Sequence, residues 1–474
     1  MSATDVAVGV DIGTTETKAL VVDTADGARL GFARQATSWT NLPGGRVETN
    51  ADALLDGVLG AVIAALAQAA EQAGKPLRAN GIGLAGLGES GVVLDAAGRV
   101  RTPVIAWFDQ RGHAELAGMD PELRAAFPGQ VGLPINAQCT LAKLLWMRAE
   151  GIAHAPGSIW LNIPEYVAHR LGGARITEPS LASRTGLIDL STGKGWTDVL
   201  ALLGVDEKFV PELHPAGDSL GRVDHPGAPE ALRGAHITVV GHDHPVAAIG
   251  SGATAPNELF NSAGTADVLL RSVPRQLDFA ERNELVEAGY SAGLHVLPGF
   301  YVLIGSVRAG LVLRRVLNLL GRNDSAGKAE LDANWRPDTQ TRARVTGARL
   351  TDDEVTIALH DGTTPDSAWA AALAHISGET ETLLHAAERI VGGHTDALAA
   401  GGWVRMASVR AAKSRIIPRL RFAAIDQPGA FGAALFAAWA GAGNPGSFNE
   451  FSAALRPGAR TGEEFVQPQE ATTP

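Results

Sequence analysis

Apolar positions alternate with small or polar ones between residues 5 and 37, and this pattern predicts a meander of β-strands. The first two runs, residues 6–10 and 19–22, are separated by a turn rich in glycine and threonine. Asn50 then stands at the N-cap position of a helix whose apolar residues recur at helical spacing until Gly74, a residue type that often ends helices. Further short strands are predicted at residues 82–85, 92–94 and 104–107.

The second half of the chain repeats part of this pattern. A strand-like run ends at His242, and residues 258–270 again predict a strand, a glycine/threonine turn and a strand. A long helix is predicted to begin at Thr364, while the apolar run 429–443 predicts a buried helix that is too short to span a membrane. Two halves with similar openings indicate a duplicated α/β fold that closes on a cleft.

The composition is typical of a folded enzyme that acts on small molecules. At 474 residues the chain exceeds what one hydrophobic core supports, so two domains are expected. A net charge of -11 without a lysine/arginine block argues against nucleic acid or an anionic membrane as a partner. Cys139 is the only cysteine, which excludes an internal disulfide, and no signal peptide is visible; both features predict a cytoplasmic protein.

The turn of the first hairpin has the chemistry of a phosphate-binding loop. In the segment from Asp11 to Lys18, Gly13 lets the backbone approach a phosphate, and the hydroxyls of Thr14 and Thr15 can donate to its oxygens. Asp11 can hold Mg²⁺ through water, because hard cations prefer carboxylate oxygen and keep much of their hydration. The alternative is an ordinary β-hairpin, which glycine/threonine turns form readily. This motif alone does not decide between the two.

Asp243 follows the second-half strand directly, where a carboxylate can face a cleft and act as a general base. The alternative is a helix N-cap, because Pro245 suits the first turn of a following helix. His242 and His244 flank the carboxylate and raise the possibility of a metal site. Zinc is the less favoured interpretation, since no further ligand cluster is visible in the sequence.

The ordered set of motifs resembles the FGGY carbohydrate kinases, which include xylulose, gluconate, fuculose and glycerol kinases. The similarity runs over about residues 5–445 in the family's order. It is carried by Asp-Ile-Gly-Thr-Thr at 11–15, Gly-His-Asp at 241–243, Asn-Ser-Ala-Gly-Thr at 261–265, Ala-Gly-Gly at 400–402 and Pro-Gly-Ala-Phe-Gly at 428–432.

The resemblance implies two actin-like (ribonuclease H-like) α/β domains with ATP, Mg²⁺ and a sugar in the cleft between them. The domains would span residues 1–244 and 245–455, followed by a flexible tail at 456–474. Asp243 would take a proton from the sugar hydroxyl, and Asp11 and Asp243 would hold Mg²⁺ through water. The residues that would contact ATP are Gly13, Thr14, Thr15, Lys18, Gly264 and Thr265 at the phosphates and Gly401 and Gly402 at the adenosine.

The expected sugar pocket is less clearly marked. Glu89 stands where glycerol kinases carry a hydroxyl-binding glutamate, but Gly88 replaces the arginine of those enzymes, which would leave room for a larger acceptor. Trp107 can stack on a sugar face, and Asp109 with Arg111 resembles a xylulose-kinase pattern. The alternatives are an exposed loop carboxylate for Glu89, a core tryptophan, and an internal ion pair for Asp109.

The sequence therefore predicts an ATP- and Mg²⁺-dependent kinase for a small sugar or polyol, with a ketopentose-like acceptor favoured. A glycerol or tetritol kinase is the nearest alternative. A non-catalytic sugar sensor and an actin-like or chaperone ATPase are alternatives of other classes. Asp267 and Trp403 depart from the family pattern beside the expected nucleotide contacts. A homodimer is the commonest soluble assembly and is expected here on that ground alone.

Overall fold

The computed structural model describes residues 3–456 apart from 153, 338, 340, 350, 351, 353 and 424, so the predicted tail lies outside the described residues except for Arg456. The strands are β1 (Thr4–Ile12), β2 (Glu16–Asp23), β3 (Arg29–Ala36), β4 (Thr40–Leu42), β5 (Arg46–Thr49), β6 (Leu77–Gly86), β7 (Gly91–Leu94), β8 (Val104–Ile105), β9 (Ile159–Asn162), β10 (Ile188–Asp189), β11 (Lys194–Gly195), β12 (His236–His242), β13 (Leu259–Ala263), β14 (Asp267–Val273), β15 (Tyr290–Leu294), β16 (Tyr301–Val307), β17 (Arg344–Thr346), β18 (Thr356–Ala358), β19 (Ala397–Ala400) and β20 (Leu420–Phe422).

The helices are distributed over both halves of the chain. They are α1 (Ala51–Ala73), α2 (His113–Ala117), α3 (Pro121–Val131), α4 (Thr140–Ala149), α5 (Ile163–Leu171), α6 (Pro179–Ala182), α7 (Thr197–Leu203), α8 (Asp243–Ser251), α9 (Phe279–Glu287), α10 (Ala309–Leu319), α11 (Ser325–Asn334), α12 (Pro365–Val391), α13 (Ala407–Ile416), α14 (Pro428–Gly441) and α15 (Phe448–Ala454).

The first large sheet has the strand order β12-β6-β1-β2-β3. The predicted meander forms its antiparallel part, while β6 runs parallel to both β1 and β12. Gly86 pairs with Ile12 on one side and with His242 on the other, so the three parallel strands end at the same level. The segments that follow these strands therefore meet at one edge of the sheet, where ligands of such folds bind.

The second large sheet has the order β15-β16-β14-β13-β19-β20. Strands β13 and β14 form the predicted second strand–turn–strand unit. Strand β13 runs parallel to β19, and Ser262 pairs with Ala400. The turn after β13 and the glycines after β19 are therefore neighbours, as they would need to be to share one ligand.

Helix α14 confirms the predicted buried helix, and it packs on the first sheet although it comes from the second half. An ideal Cβ at Gly9 of β1 would lie 2.0 Å from the Ala430 oxygen, so only glycine allows this approach of strand and helix. Val246 and Ile249 of α8 join the same core cluster. Residues beyond 244 thus complete the packing of the first sheet, and a domain boundary at 244 remains a prediction.

Helix α1 is capped by Asn50 and ends at Gly74, as predicted. Among the described helices it is the one that is long and apolar enough to cross a membrane. Half of its most apolar stretch is, however, buried inside the protein. Its side chains form the core of the first half together with β1 and β6. The exception is Ile63, which is 46% exposed although it shares the helical spacing of the apolar residues.

Strand β8 ends at Ile105, two residues before the predicted end. The Ala106 nitrogen bonds the Val47 oxygen, and the Asp109 nitrogen then bonds the Ala106 oxygen, which closes a turn. Trp107 lies in this turn rather than on a strand.

Candidate active site

The turn between β1 and β2 is held from two sides. Its own closing bond joins the Gly13 nitrogen to the Glu16 oxygen at 3.1 Å. The Thr37 hydroxyl donates to the Gly13 oxygen at 2.9 Å, and the indole nitrogen of Trp107 donates to the Thr14 hydroxyl oxygen at 2.9 Å. The loop is therefore fixed by side chains that are distant in sequence, as a preorganised phosphate site requires.

Asp11 lies at the end of β1 opposite Lys18 of β2. The Lys18 ammonium is 3.8 Å from Asp11 Oδ2, while Oδ1 is buried and has no hydrogen-bond partner among the described residues. Burial and the nearby charge of Asp243 raise the pKa of Asp11 to about 6, against the opposing effect of Lys18. The carboxylate also faces the start of α14, because an ideal Cβ at Gly429 would lie 2.7 Å from Oδ2.

Asp243 is the first residue of α8 and not its N-cap, a position that His242 takes without a side-chain bond. Asp243 Oδ1 accepts from the His244 backbone nitrogen at 2.7 Å and lies 3.2 Å from His242 Nε2. Burial lowers the pKa of His242 to about 3, so the ring is neutral and this contact is not an ion pair. The carboxylate itself is 29% exposed, which leaves it accessible to a ligand.

The Asp243 carboxylate stays ionised at neutral pH. Burial by itself would raise its pKa, but the charge of His244, the hydrogen bond from its backbone nitrogen and the charge of the Arg184 guanidinium help to outweigh burial and hold the pKa below its usual range. Asp243 is therefore present as a base when an acceptor binds.

Two kinds of metal chemistry meet at this point. Asp11 and Asp243 offer carboxylate oxygens, one of them without a protein partner among the described residues, and this donor set fits Mg²⁺ with water completing its shell. The donor atoms of His242, Asp243 and His244 also lie within 4.8 Å of one another. The sequence alone could not show that these three donor atoms lie so close together. Imidazole ligands suit zinc better than Mg²⁺.

The expected ATP residues of the second half also come together. Gly264 closes the β13–β14 turn with a bond from its nitrogen to the Ala266 oxygen at 3.0 Å, and Thr265 follows it. Gly401 lies beside this turn, because an ideal Cβ there would meet the Ala263 oxygen at 2.4 Å. Its φ of 120° is one that glycine adopts readily, and Gly402 then begins a short 3₁₀ turn.

Glu89 is buried and has a φ of 59°, a left-handed conformation that is rare for residues other than glycine. Its Oε1 accepts a hydrogen bond of 2.6 Å from Arg184 Nε. The space beside Gly88 is filled by the same arginine, because an ideal Cβ at Gly88 would lie 2.9 Å from Arg184 Cγ. The room that the sequence suggested for a larger acceptor is therefore occupied.

Asp109 makes the internal ion pair that the sequence offered as the alternative to substrate binding. Its oxygens accept from Arg111 at 2.8 to 3.1 Å and from the Val47 nitrogen at 2.6 Å, and the side chain is buried. Trp107 contacts the turn between β1 and β2 through its indole nitrogen and packs edge-on against Phe108. Both residues thus shape the site from the β8 turn.

Sequence reasoning missed Lys143 and Arg184. Burial lowers the pKa of Lys143 to about 8, and its ammonium donates to the carbonyl oxygens of Trp107 at 3.1 Å and Asp109 at 3.0 Å. An isolated lysine in an apolar stretch carries no readable signal. Arg184 lies between α6 and β10, in a segment to which the sequence alone assigned no role.

A groove of about 500 Å³ lies elsewhere on the first half, at the start of α1. Its walls include Glu48, Asn50, Asp52 and Arg101, and none of the predicted site residues lines it. The candidate site is therefore defined by the convergence of side chains at the sheet edges and not by this groove.

The family model for the N-terminal domain of the FGGY carbohydrate kinases matches residues 6–250, just over half of the chain. The chain belongs to the FGGY family of carbohydrate kinases. It is 27% identical to a glycerol kinase of Rhizorhabdus wittichii over 347 residues, which covers 69% of this chain and 65% of that protein. It is 28% identical to an L-fuculokinase of Escherichia coli over 203 residues, covering 40% of this chain and 41% of that protein. The matched region is thus less than two thirds of the length of these relatives.

Solved structures confirm the predicted fold class, two actin-like α/β halves with a cleft between them. A xylulose kinase from Rhodospirillum rubrum superposes with a TM-score of 0.78 at 24% identity, covering 94% of this chain and 92% of that chain. A glycerol kinase from Plasmodium falciparum with ADP superposes with a TM-score of 0.80 at 17% identity, covering 96% and 93%. At these identities the likeness defines the fold alone.

Proposed function

We propose that this protein is an ATP-dependent kinase that phosphorylates a hydroxyl group of a small sugar or polyol. The observation that carries the proposal is the common edge formed by the ends of β1, β6 and β12, which end in register: Asp11 lies near the end of β1, and Glu89 and Asp243 follow β6 and β12. Membership of the FGGY family supports the same class of reaction.

In this proposal ATP lies between the two sheets. The turn Gly13–Thr15 and the residue Lys18 face its phosphates from the first half, and Gly264 and Thr265 face them from the second. Gly401 and Gly402 border the adenosine. Mg²⁺, held through water by Asp11 and Asp243, would offset charge on the phosphates. The rigidity of the Gly13–Thr15 turn supports this role, since phosphoryl transfer depends mainly on positioning and electrostatics.

Asp243 is the general base. Its ionised carboxylate accepts the proton of the acceptor hydroxyl while that oxygen attacks the γ-phosphorus in line, and the bond to the ADP oxygen breaks. The hydrogen bond from the His244 nitrogen orients the carboxylate and favours its charged form, and His242 Nε2 lies 3.2 Å from the same oxygen.

A ketopentose-like acceptor is the favoured substrate class, and a glycerol or tetritol acceptor is the second candidate. A specific observation now strengthens the second: Arg184 occupies the space beside Gly88, which removes the argument for a larger pocket. Glu89 can accept hydroxyl hydrogen bonds from either kind of acceptor. We place the protein in the cytoplasm, and a homodimer remains an expectation.

The test is a coupled assay for ADP release with ATP and Mg²⁺ across ketopentoses, hexuloses, aldonates, glycerol and tetritols. Asp243→Asn removes the base and should lower kcat by several orders of magnitude. ATP and the acceptor should still bind this variant and raise its melting temperature. Asp95→Asn, in an exposed turn, is the control and should keep full activity. Turnover retained in Asp243→Asn would overturn the assignment of the base. Binding without turnover in the unchanged protein would instead support the sugar-sensor alternative.

A further inference from the structure

Arg184 links the two halves of the chain at the acceptor side of the site. It follows α6 and contacts Glu89 Oε1 through Nε at 2.6 Å and through Nη2 at 2.5 Å. Its third nitrogen, Nη1, donates to the Ser291 hydroxyl at 2.7 Å. Ser291 belongs to β15 of the second sheet, so one guanidinium joins the loop after β6 to the opposite wall of the cleft.

The contacts of Glu89 leave half of its carboxylate available. Both bonds from Arg184 fall on Oε1, and Oε2 has no hydrogen-bond partner among the residues that the structure describes. Arg184 likewise uses three of its five N–H groups in these bonds, which leaves two as donors. The pair can therefore accept from one hydroxyl and donate to another.

The conformation of Glu89 indicates that this pairing is enforced. A left-handed φ of 59° is unfavourable in a non-glycine residue, and such strain persists where the surroundings fix it, often at binding sites. The bonds from Arg184 supply that constraint. Gly88 takes part as well, since any side chain there would press on Arg184 Cγ and Cβ at 2.9 and 3.1 Å.

The charges around the acceptor position disfavour an anionic substrate. Asp11 and Asp243 both bring carboxylates to the sheet edge at which Glu89 lies. The positive charge of Arg184 is already shared with Glu89, and Lys18 lies beside Asp11. An acceptor carboxylate would meet this surplus of negative charge, whereas a neutral polyhydroxyl compound would meet paired donors and acceptors.

We infer that Arg184 is a specificity-determining residue that, with Glu89 and Ser291, selects an uncharged polyhydroxyl acceptor over a sugar acid. The inference deepens the proposed function and rests on it. The arginine reaches the acceptor position from the segment after α6, in place of a side chain at position 88.

The test compares each neutral acceptor with the aldonate of the same carbon number, in the intact protein and in variants. The kcat/KM of the intact protein should be at least about 100-fold higher for the neutral acceptor than for the aldonate, because the transition state with the neutral acceptor is stabilised more strongly. Arg184→Lys keeps the charge but loses the planar fork, and it should raise KM for the neutral acceptor at least about tenfold. KM for ATP should change by less than about twofold, because ATP does not touch this pair.

Three further variants separate a specificity role from a structural one. Gly88→Ala should raise the acceptor KM in the same direction, because it displaces Arg184 without a change in charge. Ser291→Ala should have a smaller effect of that sign, since it removes one bond across the cleft. Arg124→Lys, on an exposed helix position, is the matched control and should behave as the unchanged protein.

The outcomes distinguish this inference from the proposed function. An aldonate as the best acceptor, or an unchanged acceptor KM in Arg184→Lys, would overturn the inference while leaving a kinase in place. A rise in KM for ATP as large as that for the acceptor would show a structural role only, and would also overturn it. If no acceptor of either class binds or reacts, both the inference about Arg184 and the proposed function are contradicted.

Discussion

The indole nitrogen of Trp107 donates a hydrogen bond of 2.9 Å to the hydroxyl oxygen of Thr14. A residue expected to stack on the sugar is thereby tied to the turn between β1 and β2, and Trp39 donates a bond of 2.6 Å to the Thr14 carbonyl oxygen. The turn that would receive the ATP phosphates thus depends on side chains from outside its own hairpin.

Trp107→Phe removes the N–H donor and keeps an aromatic ring. We expect KM for ATP to rise about three- to tenfold, in line with about 0.5–1.5 kcal/mol for one hydrogen bond, while KM for the acceptor changes little. Steady-state kinetics with each substrate varied in turn is the measurement. A change confined to the acceptor KM would show that the indole serves the sugar, as the sequence first suggested.

Gly429 adjoins Asp11 at the start of α14, and Gly429→Ala should weaken ATP·Mg²⁺ binding. The added methyl would lie 2.7 Å from Asp11 Oδ2, so the carboxylate must turn away from the position in which it can hold a hydrated cation. The Mg²⁺ dependence of the rate should move to concentrations about tenfold higher, a cost of about 1.4 kcal/mol.

Gly57→Ala is the matched control for this change, because it makes the same substitution inside α1 where a methyl meets nothing within 4 Å. It should leave the kinetics unchanged and stabilise the helix by about 0.5–1 kcal/mol. An identical Mg²⁺ dependence in both variants would contradict a role for Asp11 near the metal.

The parts of this fold that the sequence predicted are those decided by short-range pattern. Alternation defines β1 to β3, a single capping residue begins α1 at Asn50, and two prolines bracket the apolar run that forms α14. The position of Asp243 directly after β12 follows from the same logic.

What the sequence could not supply is pairing between distant segments. The bond from Arg184 to Glu89 spans 95 residues, and the contact of α14 with β1 spans most of the chain. No periodicity encodes such contacts, because each partner satisfies its own local pattern equally well elsewhere. The chemistry of the acceptor pocket depends on these pairings, which is why its residues were the hardest to assign.

Asp267, one of the departures from the family pattern, is buried in an ion pair with Lys413 of α13. Its carboxylate therefore holds α13 against β14, and Lys413→Met should destabilise the protein by about 3–5 kcal/mol because it leaves a buried charge without a partner. The double variant Asp267→Leu with Lys413→Met should regain most of this loss. Chemical denaturation measures both effects.

Arg78→Met, which breaks the exposed pair of Arg78 with Asp5, is the control and should cost less than about 1 kcal/mol. If Lys413→Met were no more costly than Arg78→Met, the pair would not be holding the second half together.

The buried carboxyl group of Glu178 should make the stability of the folded protein depend on pH. It is fully buried, and burial raises its pKa to about 8 from a usual value near 4.5. Its Oε2 accepts from the Ser180 hydroxyl at 2.5 Å, and Ser180 Oγ in turn accepts from the His242 nitrogen at 2.9 Å, directly before Asp243. The protonated acid thus supports the strand that carries the proposed base.

The sign follows from which state binds the proton. Between pH 4.5 and about 8 the folded protein keeps a proton on Glu178 that the unfolded chain has lost, so stability from this group is complete below pH 4.5 and falls as pH rises through 8. Glu178→Gln resembles the protonated form at every pH. The free energy of unfolding should therefore fall less steeply from pH 5 to pH 8 in Glu178→Gln, by up to about 1.4 kcal/mol per pH unit. The melting temperature measured across this range should show the same shallower fall.

Glu165 retains a slope of the same sign in that variant, because burial raises its pKa to about 7, so the dependence should be reduced and not abolished. Glu122→Gln, at an exposed position in the first turn of α3, is the matched control and should keep the original slope. Parallel slopes for Glu178→Gln and the unchanged protein would mean that Glu178 is already ionised in the fold. The Ser180 hydroxyl would then donate to a buried carboxylate anion. In that case Glu178→Gln would weaken this bond and lower the stability of the protein at every pH above 5.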